Sequence, residues 1–168
     1  EYARKGNVQN PLKEMVRIVR YSLFTNRELC SNIMYSGIIG AATLTMAWFV
    51  QPVLIHLDTP TKWFGVIWTV LNLTVGIAAL GSDRVERKLG MNRMNAFILV
   101  MIIGGYVALA YNLTWAGLAV LFLFYIFRGL ATPILKGYIN QLTFSEMRAT
   151  VLSIRNFVIR LMFAGVAP

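Results

Sequence analysis

The sequence predicts an all-α fold, a polytopic transmembrane helical bundle with five spans. Three observations carry this expectation. Only 14% of the 168 residues are charged while 57% are hydrophobic, and the mean hydropathy is +0.61; average soluble proteins carry about 25% charged residues. Uncharged runs recur at the length needed to cross a bilayer, about 20 residues for roughly 30 Å of hydrocarbon. Lys and Arg gather in alternate connections between those runs, the bias that marks the cytoplasmic side. A transmembrane barrel would alternate apolar and polar residues over strands of about ten. These runs are continuous, so helices, which satisfy their own backbone groups, are the expected spans.

Residues 1–28 read as a cytoplasmic linker carrying an amphipathic helix. Pro11 can open that helix, because its missing N–H would be unpaired there anyway. Leu12, Met15, Val16, Val19 and Leu23 recur at helical spacing, and Lys13, Arg17 and Arg20 share another face. Such a helix either lies on the membrane with its basic side toward headgroups or packs against the bundle from the cytoplasm.

Residues 29–168 read as the membrane bundle. The first span, about 29–55, holds no charge, and its Gly37, Gly40, Ala41 and Ala42 would let another helix approach closely. After a short polar loop the second span covers about 63–82. The charged stretch Asp83-Arg84-Val85-Glu86-Arg87-Lys88-Leu89-Gly90 then reads as a hairpin tip at a membrane surface. The next uncharged run, Met94 to Phe127, has 34 residues. As one helix it would be about 51 Å long, too long for a single crossing. The Tyr111-Asn112-Leu113-Thr114 stretch is the natural break, giving spans at about 94–110 and 114–135, and a last span follows at about 149–167. With that split, Lys62 alone lies in the loops opposite the basic ones, which puts the N-terminus and the charged tip in the cytoplasm of a cell membrane.

The net charge of +9 raises the question of nucleic acid, but no basic stripe with interleaved aromatics is present, and nucleic-acid binding is not expected. One cysteine, Cys30, excludes an intrachain disulfide. The single His56 and the lack of a His, Cys or Glu cluster leave no expected metal, cofactor or enzymatic centre. The composition admits a membrane scaffold or receptor, and more distantly a membrane-embedded enzyme. The opening at Glu1 and the end at Pro168, straight after an apolar run, suggest a fragment.

The charged tip is also where a family resemblance enters. Asp83-Arg84-x-x-Arg87-Lys88 resembles the signature loop of major facilitator superfamily transporters, which follows the second helix and recurs in degenerate form after the eighth. Ala79 and Glu86 stand where the family pattern has glycines, as suits the weaker C-terminal copy. Arg128-Gly129, Pro133, Asn140 and Ser145-Glu146-x-Arg148-Ala149 resemble the family's tenth helix, its cytoplasmic loop and the start of the eleventh. The resemblance implies helices seven to eleven of the C-terminal half, and as partners a lipid bilayer, a small-molecule substrate and the N-terminal half of the same transporter. It further implies that Asp83, Arg84, Arg87 and Lys88 latch a cytoplasmic gate through charge pairs and a helix N-terminus; the alternative is that they are topogenic charges on a solvated hairpin.

Side chains within the spans supply the candidate substrate cavity. Arg128, Arg155 and Arg160 are ionisable residues inside apolar segments, where charge is costly and usually faces the protein interior. At 1.5 Å per residue from Arg148, Arg155 lies roughly 10 Å deep and Arg160 roughly 18 Å. Ser153, Asn156 and Arg160 make one polar stripe. The arginines can pair with acids on another half or bind an anionic substrate, and Arg128 and Arg155 can instead snorkel toward the surface. Trp48, Gln51, Trp68, Asn72 and Tyr125 can line a cavity, aromatic rings stacking a solute and amides bonding it. Against that, Trp and Tyr concentrate at interfaces, where Trp63 and Trp115 read as belt residues, and Gln51 and Asn72 can simply bond neighbouring helices.

Overall fold

In the computed structural model, residues 11–111 and 114–166 are described, and among them every regular element is a helix. The first ten residues of the predicted linker, Asn112 and Leu113 at the predicted break, and Ala167 at the end of the last predicted span lie outside the described residues. Helix α1 covers Pro11–Arg20. One turn of π-helix, Tyr21–Thr25, leads to Asn26, which leaves helical geometry and caps α2 (Arg27–His56) by accepting a hydrogen bond from the Leu29 amide at 3.1 Å. A turn through Asp58, whose φ is 49°, and a short 3₁₀ turn at Thr61–Trp63 precede α3 (Phe64–Leu89). Then come α4 (Met91–Tyr111), α5 (Trp115–Gln141) and α6 (Arg148–Val166). The five helices from α2 onward are each long and apolar enough to cross a membrane, and the chain is a helical membrane protein by that measure.

The charged stretch is not a loop. Helix α3 runs on through Asp83, Arg84, Arg87 and Lys88 and stops only at Gly90, whose φ of 71° and ψ of 163° end the helix and come without penalty only to glycine. Charge signalled exposure there, but nothing between Ser82 and Leu89 breaks a helix. The hairpin tip is therefore the single residue Gly90, and α4 starts at once at Met91.

Lipid gives helices no hydrophobic reason to associate, so close packing of small residues must do it. The tightest approach is between α3 and α5. A Cβ on Gly129 would lie 2.5 Å from the Val75 carbonyl oxygen and 2.8 Å from the Ala78 Cβ. Helices α2 and α6 meet through Gly37 and Gly40, where a Cβ would strike Val158 at 2.8 Å and Ile159 at 2.6 Å. The small stretch seen in the sequence thus receives α6. Helix α4 is tied to α2 by two tyrosines: Tyr35 donates to the Asn95 carbonyl at 2.6 Å, and Tyr106 to the Ala42 carbonyl at 2.7 Å. The main core, built on Met46, Val50, Leu71, Ile98, Leu121 and Tyr125, lies among α2 to α5. A second core joins Ile18 of α1 to Leu29, Ile33, Ile139, Met147 and Val151.

At Gly129 the obstacle is backbone, which cannot rotate away, whereas at Gly40 it is the end of an isoleucine side chain. Gly129→Ala is therefore expected to cost about 1–3 kcal/mol through overpacking, and Gly40→Ala less. Thermal unfolding in detergent micelles checks this: a Tm for Gly129→Ala equal to or above that of Gly40→Ala would contradict the assignment of α3–α5 as the tightest contact.

Candidate functional site

Most polar side chains inside the spans answer to their own helix. Thr45, Thr69, Thr74, Thr132 and Ser153 each donate to the carbonyl four residues back, at 2.8–3.0 Å. Asn72 does the same to the Trp68 carbonyl at 2.8 Å, so it bonds its own helix and not a neighbouring one. A hydroxyl satisfied in this way can face lipid or a cavity without an orphaned donor, whereas the Asn72 amide has a second N–H to place.

Trp48, Gln51 and Trp68 come together. With Leu44 and Ala47 they line a cleft of about 340 Å³ between the second half of α2 and the first half of α3. Leu44, Trp48 and Gln51 fall at successive helical turns, and α3 contributes Trp68 from the facing side. Asn72 is exposed one turn further along α3. Phe163 of α6 stacks on Trp48, a lining residue of the cleft, with centroids 6.2 Å apart and planes at 28°. Its part was not foreseen. An aromatic at the end of a span looks like any lipid-facing residue until its partner is known.

The three arginines go to three different places. Arg155 is 5% exposed. Its Nε donates to the Ser36 hydroxyl across the α2–α6 contact, and its Nη1 donates to the Asn156 side-chain oxygen at 3.3 Å. The reading in which Arg155 snorkels to the surface is thereby overturned: the close α2–α6 approach leaves its guanidinium a hydroxyl inside the bundle. Ser36 was missed as a partner because nothing local distinguishes it among the small residues around Gly37. Arg128 is half-buried, its guanidinium carbon 5.5 Å from the centre of the Tyr125 ring, within cation–π range. Tyr125 itself is fully buried in the main core. It holds Arg128 and does not line the cleft.

Arg160 stands apart. It is exposed, with no hydrogen bond or ion pair to its side chain among the described residues, and shares an exposed face of α6 with Ser153 and Asn156. Twelve residues into α6, it lies about 18 Å along the helix. Its neighbour Ile159 packs at Gly40, near the middle of α2. Asp83, Arg84, Arg87 and Lys88 are exposed on the last two turns of α3. No partner for Asp83 occurs among the described residues, and it lies near a helix C-terminus, where the dipole does not favour a carboxylate.

Among the described residues no cluster of His, Cys, Asp or Glu could hold a metal ion. No protein family, curated protein or solved structure matches the chain.

Hydrogen bonds to charged groups contribute about 1.5–3 kcal/mol. Ser36→Ala, which leaves the Nε of the buried guanidinium without its partner, is expected to destabilise the protein by about that amount. In an Arg155→Met background the same change should cost far less. Detergent unfolding of the four proteins gives the coupling, and equal losses in both backgrounds would show that the hydroxyl does not serve the arginine.

Proposed function

We propose that the chain is part of a secondary active transporter, a five-helix portion of the C-terminal half of a major facilitator-type protein, which moves a small solute by alternating access. The observation that carries the proposal is Arg160. A charged side chain at the centre of a lipid-facing helix costs about 2.5–3.5 kcal/mol even on insertion scales. An exposed and unpaired guanidinium at that depth calls for a cover of protein or water on that face of α6. The Trp48–Phe163 stack links the aromatic cleft to α6, about one turn beyond Arg160. Secondary transporters place substrate near the midplane, between two repeats that rock against each other. A second six-helix half would cover Arg160, either with an acid or with a water-filled cavity holding an anionic solute.

In this reading the basic end is cytoplasmic. Lys13, Arg17, Arg20, Arg27, Arg84, Arg87, Lys88, Arg93, Lys136 and Arg148 are all exposed at the end where α2, α4 and α6 begin, whereas Lys62 is the described lysine or arginine of the opposite end. The excess follows the positive-inside rule. Asp83 and its neighbours, on the cytoplasmic end of α3, would meet the other half there. The five helices alone lack a second half to rock against and are expected not to transport.

Reconstitution tests the proposal. Full-length protein should give saturable solute uptake in proteoliposomes, and this chain alone none above empty vesicles. Arg160→Gln should abolish uptake with insertion intact, and Asp83→Asn should reduce it. Wild-type uptake by Arg160→Gln would remove the central argument. Solute binding without any uptake by the full-length protein would favour a receptor.

A further inference from the structure

Helix α1 presents three sectors. At about 100° per residue, Met15, Val16 and Val19 share one, Lys13, Arg17 and Arg20 the next, and Glu14 and Ile18 the third. The third sector faces the bundle: Ile18 is buried in the second core, against residues from α2, α5 and α6. The basic sector is exposed throughout. Within the apolar sector Val19 packs partly against that core, while Met15 and Val16 stay outside. Met15 is 49% exposed and Val16 63%, and Phe24, in the π-turn before α2, is 79% exposed. An apolar stripe left outside, flanked by lysine and arginine, is the pattern of a helix lying in a membrane interface. Its position fits. Only the π-turn and Asn26 separate α1 from the start of the first span at Arg27, so it sits at the level where that span leaves the bilayer.

We propose that α1 is an interfacial anchor for anionic lipid, with Lys13, Arg17 and Arg20 on the headgroups and Met15, Val16 and Phe24 in the headgroup–acyl boundary. Charge selects the occupant. Beside the three of α1, this end of the bundle carries seven exposed lysines and arginines, Arg27, Arg84, Arg87, Lys88, Arg93, Lys136 and Arg148, and anionic lipid attracts such basic segments near a membrane surface. The Ile18 contact fixes the helix's rotation, so the apolar stripe cannot turn into the bundle. The inference rests on the chain lying in a membrane and is independent of transport, so neither result bears on the other.

The test uses the full chain with Cys30→Ser and Val16→Cys, labelled with an environment-sensitive NBD fluorophore. It is reconstituted in phosphatidylcholine vesicles with and without phosphatidylglycerol. The expected result is an emission shift to shorter wavelength, and stronger quenching by brominated lipid, when phosphatidylglycerol is present. Lys13→Gln with Arg17→Gln and Arg20→Gln should remove the difference. If that triple variant does not fold, raising salt to about 1 M, where the Debye length falls to about 3 Å, should remove it with the native charges in place. A water-like spectrum in both vesicles would overturn the proposal, and so would insertion indifferent to lipid charge.

Discussion

Close approach between helices is the constraint on which the bundle depends. In lipid the tails are as apolar as the side chains, so association rests on packing and on hydrogen bonds between helices. Gly129 lets α5 come against the backbone of α3, and Gly37 and Gly40 let α6 come against α2. Between these two pairs, α2 also meets α5 in the main core. Tyr35 and Tyr106 then fix α4 to α2 at two levels. Each later feature, from the aromatic cleft to the buried arginine, lies where these contacts set the helix faces.

The same contacts divide the arginines by environment. Arg155 falls at the α2–α6 seam and finds Ser36, so its charge is buried but hydrogen-bonded. Arg160, a little over one turn further on, rotates out of that seam and is left exposed. Two like residues on one helix thus take opposite roles: one ties helices together, the other presents a charge on the outer face. Burying an ion without partners costs several kcal/mol, which explains why Asn156 and Ser36 both serve Arg155.

The spans were legible because uncharged runs of bilayer length are what a helix needs to cross hydrocarbon and rarely occur in water-soluble chains. The polar break after Tyr111 likewise separated α4 from α5. The charged end of α3 was misread as a loop. Composition reports what surrounds a residue, and the backbone there stays helical until the positive φ of Gly90. The cleft was half legible: Trp48, Gln51 and Trp68 stood out as aromatic and amide residues inside spans, and they do meet. Phe163 and Ser36 did not stand out, since each matters only through a partner on another helix. Tyr125 carried the same signal as the tryptophans yet went into the core.

By itself, the sequence determined the helical membrane class, the number of apolar helices and the basic end, because these follow from run length and charge position along the chain. The tertiary structure decided which helices touch, which arginine is buried and which exposed, and which apolar side chains of α1 remain outside. Those depend on pairings such as Ser36 with Arg155, which lie 119 residues apart. A helical period records which face a residue shares, but not which neighbour that face will meet.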